Sequence, residues 1–493
     1  MTTTTDEPDK MTTTIPPTPD ESRLPNIDLP HTATNHLLRE TIHDRIVGCI
    51  VGSALGDTIG LYTEFLSRER SREAYPSASF TLTGSQGPTP FLPDLHRAPK
   101  DPGHWTDDTD HALLLVLGYL HGASTDDDAT GTRGPAFPTP IDLASRLLIW
   151  VQQGLKPLDT MPLGLGRLVS SVVSTKGFPD DPASVAREYW IKTGRTVAPN
   201  GSLMRTHPVG VMGVWKGEEE TFEVAAGLSR TTHVDLRCVV ACVIGSGLVR
   251  GLVRGEVVDE GGIDGVVERG VEWVRGLEKG EGDPELDVEE LGRYVGAGVG
   301  SGDGTGSGDD VLEALKLDDP AAIGYVYKTL GSGVMLLRLA MRRVADSKGS
   351  LLAKDKLFEE LITDLIMRGG DADTNACFAG AVLGAYLGYG KLPDHWKHGL
   401  LHGEWLMGKA DAICQVLGVK GGRYVGEEDK DTWLDAGKGM IDQQEMEVKW
   451  MLLQQKAGQK IVEAKAKAEA AAKARSRSGW TGKLPWQGKD KAR

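Results

Sequence analysis

Two runs of glycine at every fourth position restrict this 493-residue chain more than any other feature: Gly48, Gly52, Gly56 and Gly60 in one, Gly380, Gly384 and Gly388 in the other. Positions four apart share one face of a helix, so each run makes a smooth ridge along which a second backbone can approach closely. Such ridges also occur in membrane dimers. Asp44, Arg45, Asp57 and Glu64 in the first segment, and the shortness of the second, argue against lipid here. No apolar run reads as long enough to span a bilayer. The expectation is a tightly packed soluble helix pair. Each ridge lies beside an acidic motif, so pairing would bring Asp57, Glu64 and Asp371 into one neighbourhood.

Other segments carry apolar residues at helical spacing: Ile141 to Val151, Phe222 to Leu228, Val239 to Val249 and Leu330 to Leu339. Alternating strand patterns are scarce, so the fold class expected is all-α. Residues 1–38 are rich in Thr, Pro and Asp with few large apolar side chains, and read as a disordered tail. One folded domain is expected over 39–420. Within it the Gly- and acid-rich stretch of about 255–320 reads as a linker or surface excursion, and it meets neither the dinucleotide nor the Walker spacing. Residues 421–493 read as a helical extension with a basic end, Arg475, Arg477, Lys483, Lys489, Lys491 and Arg493. It reads as a solvated appendage rather than an anchor for nucleic acid or an acidic partner.

A formal charge of -15 argues against a general nucleic-acid binder, because an acidic surface repels phosphate. Cys49, Cys238, Cys242, Cys377 and Cys414 are scattered and odd in number, which suits reduced core residues rather than disulfides or a zinc site. The amino terminus has neither a secretory apolar core nor the composition of a transit peptide, so a cytoplasmic location, with nuclear access possible, is expected. A monomer is the default.

Two short clusters place carboxylates where simple folding would not want them: Trp105-Thr106-Asp107-Asp108-Thr109 and Gly369-Gly370-Asp371-Ala372-Asp373-Thr374-Asn375. Adjacent aspartates repel and are poor helix formers, so keeping Asp107 and Asp108 beside the apolar run Ala112 to Leu117 needs a compensating cation. The donors are all oxygen, with no Cys or His in either cluster, which suits Mg²⁺ or Mn²⁺ far better than zinc or copper. The clusters read as two halves of one metal site.

Five motifs stand in order: Gly48 to Gly60 with Asp57 and Glu64; the first acidic cluster; Asn200-Gly201-Ser202-Leu203-Met204-Arg205; Thr232-His233; and the second acidic cluster. Together they resemble the ADP-ribosylglycohydrolase family, over about His43 to Val419 and including Leu392-Pro393-Asp394-His395-Trp396. The resemblance implies that 39–420 is a catalytic domain of compact orthogonal multi-helix architecture with a binuclear centre, two Mg²⁺ with Mn²⁺ as a substitute, and hydrolysis of an ADP-ribosyl bond at the ribose anomeric carbon. By position it makes Thr106, Asp107, Asp108, Asp371, Asp373 and Thr374 metal ligands. Glu64, Asp107 and Asp371 become the catalytic candidates, Glu64 or a metal-bound Asp serving as base. Asn200, Gly201, Ser202, Met204, Arg205 and His233 become the candidates for holding ADP-ribose. The partner implied is an ADP-ribosylated protein or a small ADP-ribosyl compound.

Duller readings stay open for several of these. Asp107 and Asp371 could cap helices, Arg205 could hold its loop in a structural ion pair, His233 could be a satisfied buried histidine, and Glu64 could simply pair with a cation. A catalytically silent ADP-ribose-binding homologue is the alternative function. A related metal-dependent hydrolase acting on another ribosyl or phosphoryl compound is a third. The resemblance does not reach the basic carboxy-terminal helix, and it does not choose the linkage.

Overall fold

The computed structural model describes residues 31–84, 87–123, 136–296, 312–347 and 355–478, without the side chains of 31–34, 468 and 471–478. Among these residues there are 17 α-helices and no strand. Those that build the site are labelled α1 (His31–Gly60), α2 (Asp107–His121), α3 (Pro140–Gln153), α4 (Glu218–Arg230), α5 (Leu236–Arg254), α6 (Val326–Asp346), α7 (Ala372–Leu387) and α8 (Gln443–Ser478). Contacts divide the chain after Leu38, and the unit Arg39–Arg493 holds every residue of the site. The tail reading falls largely on residues 1–30, outside the described residues, although the helix already begins at His31.

The two glycine ridges meet. A Cβ added at Gly48, Gly52 or Gly56 would strike the carbonyl oxygen of Gly384, Gly380 or Ala376, and one at Gly60 would strike the backbone of Asp373. The pairing is antiparallel, because the partner number falls as the position number rises. Backbone-to-backbone contact admits no side chain between the helices, which is why the spacing is strict. It also fixes the end of α1 against the start of α7, bringing Asp57 and Glu64 to Asp373. Helix α7 further packs on α6 and α5, and α2 packs on α3 and α7.

Local sequence sets the helix starts. Thr139 accepts a hydrogen bond from the Asp142 amide at 3.1 Å, with Pro140 as the first residue of α3. Asp235 accepts from the Arg237 amide at 3.0 Å to start α5, which stops at Gly255 in the left-handed region.

Two expectations are corrected. Helix α5, 19 residues with a mean hydropathy of 1.8, is long and apolar enough to cross a membrane, contrary to the reading that no run is. Within the fold 89% of that window is buried, so it serves as a core helix. The stretch from about 255 to 320, read as a linker, contains helices Glu260–Arg275 and Val288–Val295. Ile263, Val266, Val271, Val274, Leu291 and Val295 are buried there, an apolar helical face that the interspersed glycines and acids obscure. The Gly-repeat proper, 297–311, lies outside the described residues, as does the basic end beyond Ser478. All five cysteines are buried and free.

Candidate metal centre

Three segments converge: the end of α1 with the turn after it, the start of α2, and the start of α7. Asp57, Asp108 and Asp373 each offer a carboxylate oxygen within 4.8 Å of the others. Glu64, Asp371 and Asp373 do the same, so Asp373 belongs to both groups. Asp107 is in neither. It heads α2, partly exposed, with Gly164 set against its carboxylate.

Asp57 ties α1 to α2. Its Oδ1 accepts from the Thr106 amide at 2.9 Å, and its Oδ2 accepts from the Thr109 amide at 3.1 Å and the Thr109 hydroxyl at 2.5 Å. A carboxylate at a helix amino terminus satisfies amides that have no partner within the helix and meets the positive end of its dipole. Thr106 is the N-cap of α2, and its hydroxyl donates to Asp108 Oδ2 at 2.9 Å. Asp371 occupies the N-cap position of α7, yet its side chain makes no capping bond. Its Oδ2 instead accepts from Asn200 Nδ2 at 2.9 Å, and Asn200 Nδ2 also reaches Thr329 Oγ1 at 3.0 Å. Thr374 lies at the same helix start and donates its amide to Asp373 Oδ1 at 2.8 Å.

The turn from Gly60 to Leu66 is paired to the second cluster through backbone. Phe65 N donates to Gly370 O at 2.7 Å and Gly370 N to Leu66 O at 2.9 Å. Gly369 and Gly370 have φ of 72° and 76°, and a Cβ on either would strike the Leu66 or Leu317 carbonyl. Only glycine combines that conformation with that approach, which accounts for the Gly-Gly before Asp371.

Burial and mutual repulsion push the carboxyls up. Burial, then Asp57 and Asp371, hold Asp108 well above the ordinary range. Burial, then Glu64 and Asp108, do the same for Asp373, and burial with Asp108 does so for Asp107. Burial and the Glu64 charge raise Asp371 to about 6. Asp108 Oδ1 is buried without a hydrogen-bond partner. An orphaned buried carboxylate oxygen among crowded acids, with hydroxyls and amides as the other near groups, fits a hard divalent cation. Asp57, Asp108, Asp373, Asp371 and Glu64, with Thr106 and Thr374 beside them, are the residues that could hold it.

The proposed ADP-ribose loop is placed less uniformly. Asn200 touches the acidic centre, and Gly201 lies against the His233 ring, where a Cβ would come within 3.2 Å of it. His233 Nδ1 lies 2.7 Å from Thr232 Oγ1, and burial, then Arg205, lowers its pKa well below the ordinary value. Ser202 faces inward: its hydroxyl accepts from Ser229 at 3.2 Å and from Cys242 at 3.4 Å. Met204 is buried. Arg205 is buried and donates to Thr232 Oγ1 at 2.7 Å and Leu228 O at 3.4 Å, neutral acceptors rather than a carboxylate; burial lowers it to about 10.

Several participants do not stand out in the sequence. Asp57 is expected nearby, but not as a ligand or as the clamp on α2; a lone acid at the end of an apolar glycine-striped helix is the available signal. Asp110 accepts from Trp105 Nε1 at 2.8 Å and Trp150 Nε1 at 2.9 Å, and burial raises it to about 6. His96 Nε2 lies 2.5 Å from Glu64 Oε2. Arg97 donates to the carbonyls of Leu61 at 2.8 Å and Tyr62 at 3.2 Å, and to that of Glu64. His96 and Arg97 sit in an irregular loop, where periodicity carries no signal.

The profile of the ADP-ribosylglycohydrolase family matches residues 38–423. The chain belongs to the ADP-ribosylglycohydrolase family. It is 26% identical over 377 residues to an uncharacterised protein of Archaeoglobus fulgidus, covering 76% of this chain and 97% of that protein. Among solved structures it is similar to an ADP-ribosylglycohydrolase-related protein complex, at 22% identity and a TM-score of 0.45, covering 76% of this chain and 99% of that one.

Proposed function

We propose that this chain is a divalent-cation-dependent hydrolase that cuts the bond between the ribose anomeric carbon of ADP-ribose and an acceptor on a protein or small molecule. The observation that supports the reading is the sharing of Asp373 between two carboxylate groups drawn from α1, α2 and α7. Magnesium ions bound there would relieve the carboxylate repulsion, orient the ribose diol and acidify a water. Asp57, Asp108, Asp371 and Asp373 are the holding groups, with Thr106 and Thr374 lending hydroxyls. Asn200 keeps Asp371 turned toward the centre through its 2.9 Å hydrogen bond. Glu64, in the turn after α1 and held by His96, would accept the proton of the attacking water. The Gly201 backbone, backed by the buried His233 ring, would offer a surface against which phosphate or ribose can lie.

Cleavage at an anomeric carbon passes through an oxocarbenium-like state, which the surrounding negative charge stabilises. The test is ADP-ribose release from arginine-linked, serine-linked, O-acetyl and poly(ADP-ribose) substrates, with and without Mg²⁺. Mg²⁺-dependent release from at least one substrate is expected. Binding of ADP-ribose with no cleavage of any of them would replace this reading by that of a silent binding homologue.

A further inference from the structure

Helix α8 lies beyond residues 38–423, the part matched by the family profile, yet it is seated against the rim of the acidic centre. Lys456 Nζ and Lys460 Nζ reach the two oxygens of Asp101 at 2.9 and 2.6 Å, and Lys460 also donates to the carbonyl of Lys100 at 2.8 Å. Ala457, on the same face, is buried. Leu453 and Lys456 line a cleft shared with Trp105 and Asp110.

Asp101 belongs to a loop with two holds on the centre. Upstream, Arg97 is buried and binds the carbonyls of Leu61, Tyr62 and Glu64, while His96 meets the Glu64 carboxylate. Downstream, Lys100 Nζ donates to the carbonyl of Trp105 at 2.7 Å, one residue before Thr106. Its ammonium also offsets part of the charge felt by Asp57, Asp107 and Asp110. The turn is closed by His104 N donating to Asp101 O at 3.1 Å and Asp101 N to His104 Nδ1 at 3.3 Å. Burial alone would raise the Asp101 carboxyl, but Lys460 and Lys456 outweigh it and hold it below the ordinary range. One loop thus links Asp101 to the Glu64 turn on one side and to the residue that precedes Thr106 on the other.

We infer that Asp101, gripped by Lys456 and Lys460 of α8, is a positioning residue: the carboxy-terminal helix sets the geometry of Glu64 and Thr106 without touching substrate. The catalytic part of this inference rests on the proposed hydrolase reading; the mechanical part does not. The full-length chain with Lys456→Ala and Lys460→Ala together is compared with wild type and with a charge-exchanged chain, Asp101→Lys with Lys456→Asp and Lys460→Asp. Hydrogen–deuterium exchange is followed in 61–66 and 97–105, alongside kcat and KM for ADP-ribose release. The alanine pair should speed exchange in both segments while leaving α7 unchanged, and lower kcat by about threefold to tenfold with KM shifting less, since exposed ion pairs are individually weak and misplacement acts on the chemical step. The charge-exchanged chain should recover both. Unchanged exchange in 61–66 and 97–105, an unchanged kcat, or no recovery on charge exchange would overturn the inference. A wild-type chain that cleaves nothing would sink the hydrolase reading instead, and the exchange comparison would still decide whether α8 holds the rim.

Discussion

Asp373 is the side chain on which the two acidic groups depend, since each group loses a member without it. Asp373→Asn should reduce ADP-ribose release by about a hundredfold or more and weaken Mn²⁺ binding in calorimetry, because a neutral amide cannot replace a charged donor in a preorganised site. Asp107→Asn should cost less on both measures, since Asp107 lies outside both groups; equal losses would mean that the groups are drawn wrongly. Asn200→Ala removes the hydrogen bond that orients Asp371 and should cost about tenfold in kcat/KM, the usual effect of losing a support behind a ligand. The convergence of the two acidic clusters is legible from their all-oxygen make-up, although Asp107 of the Asp107-Asp108 doublet falls outside both groups. Asp57 is harder to assign: one residue both clamps α2 and faces the centre, and neither role leaves a pattern in a single chain.

The α1–α7 pair carries the site, and its tolerance is testable. Gly56→Ala puts a methyl group onto the Ala376 carbonyl and should destabilise by about 1–3 kcal/mol or more in urea unfolding, as overpacking does. Gly458→Ala, in α8 with open space around it, should stabilise by roughly 0.5–1 kcal/mol, because only the helix propensity changes. Were both substitutions equally harmless, the backbone contact would not exist as described. Glycine ridges are legible because their period encodes a contact. The helices Glu260–Arg275 and Val288–Val295 are not, since their apolar faces are interrupted by residues typical of loops. The 94–105 loop is equally opaque: Arg97 and His96 act through backbone carbonyls and a carboxylate distant in sequence, and periodicity does not report such contacts.

For the whole molecule, the crowded carboxyls should couple stability to pH and, on the proposed reading, to divalent cations. Asp371 is raised to about 6, and Asp108 and Asp373 are raised in the same direction, chiefly by burial. A raised carboxyl binds protons more tightly in the folded state, so its contribution is complete below the ordinary Asp value of about 4 and is lost as pH rises through the folded value. In EDTA, this cluster should therefore weaken the protein progressively above about pH 4. Mg²⁺ held as proposed would bind the ionised form, so the increase in Tm on adding it should be larger at pH 7.5 than at pH 5 when both are measured by scanning calorimetry. An increase of the same size at both pH values would detach the cation from these carboxylates.

Crystals equilibrated with Mn²⁺ and measured at the manganese absorption edge would show where the metal goes. Anomalous peaks are expected within coordinating distance of Asp108 and Asp373 together, with further contact to Asp57 or to Asp371 and Glu64. Saturating Mn²⁺ with no peak between the starts of α2 and α7 would contradict a metal centre built from these carboxylates.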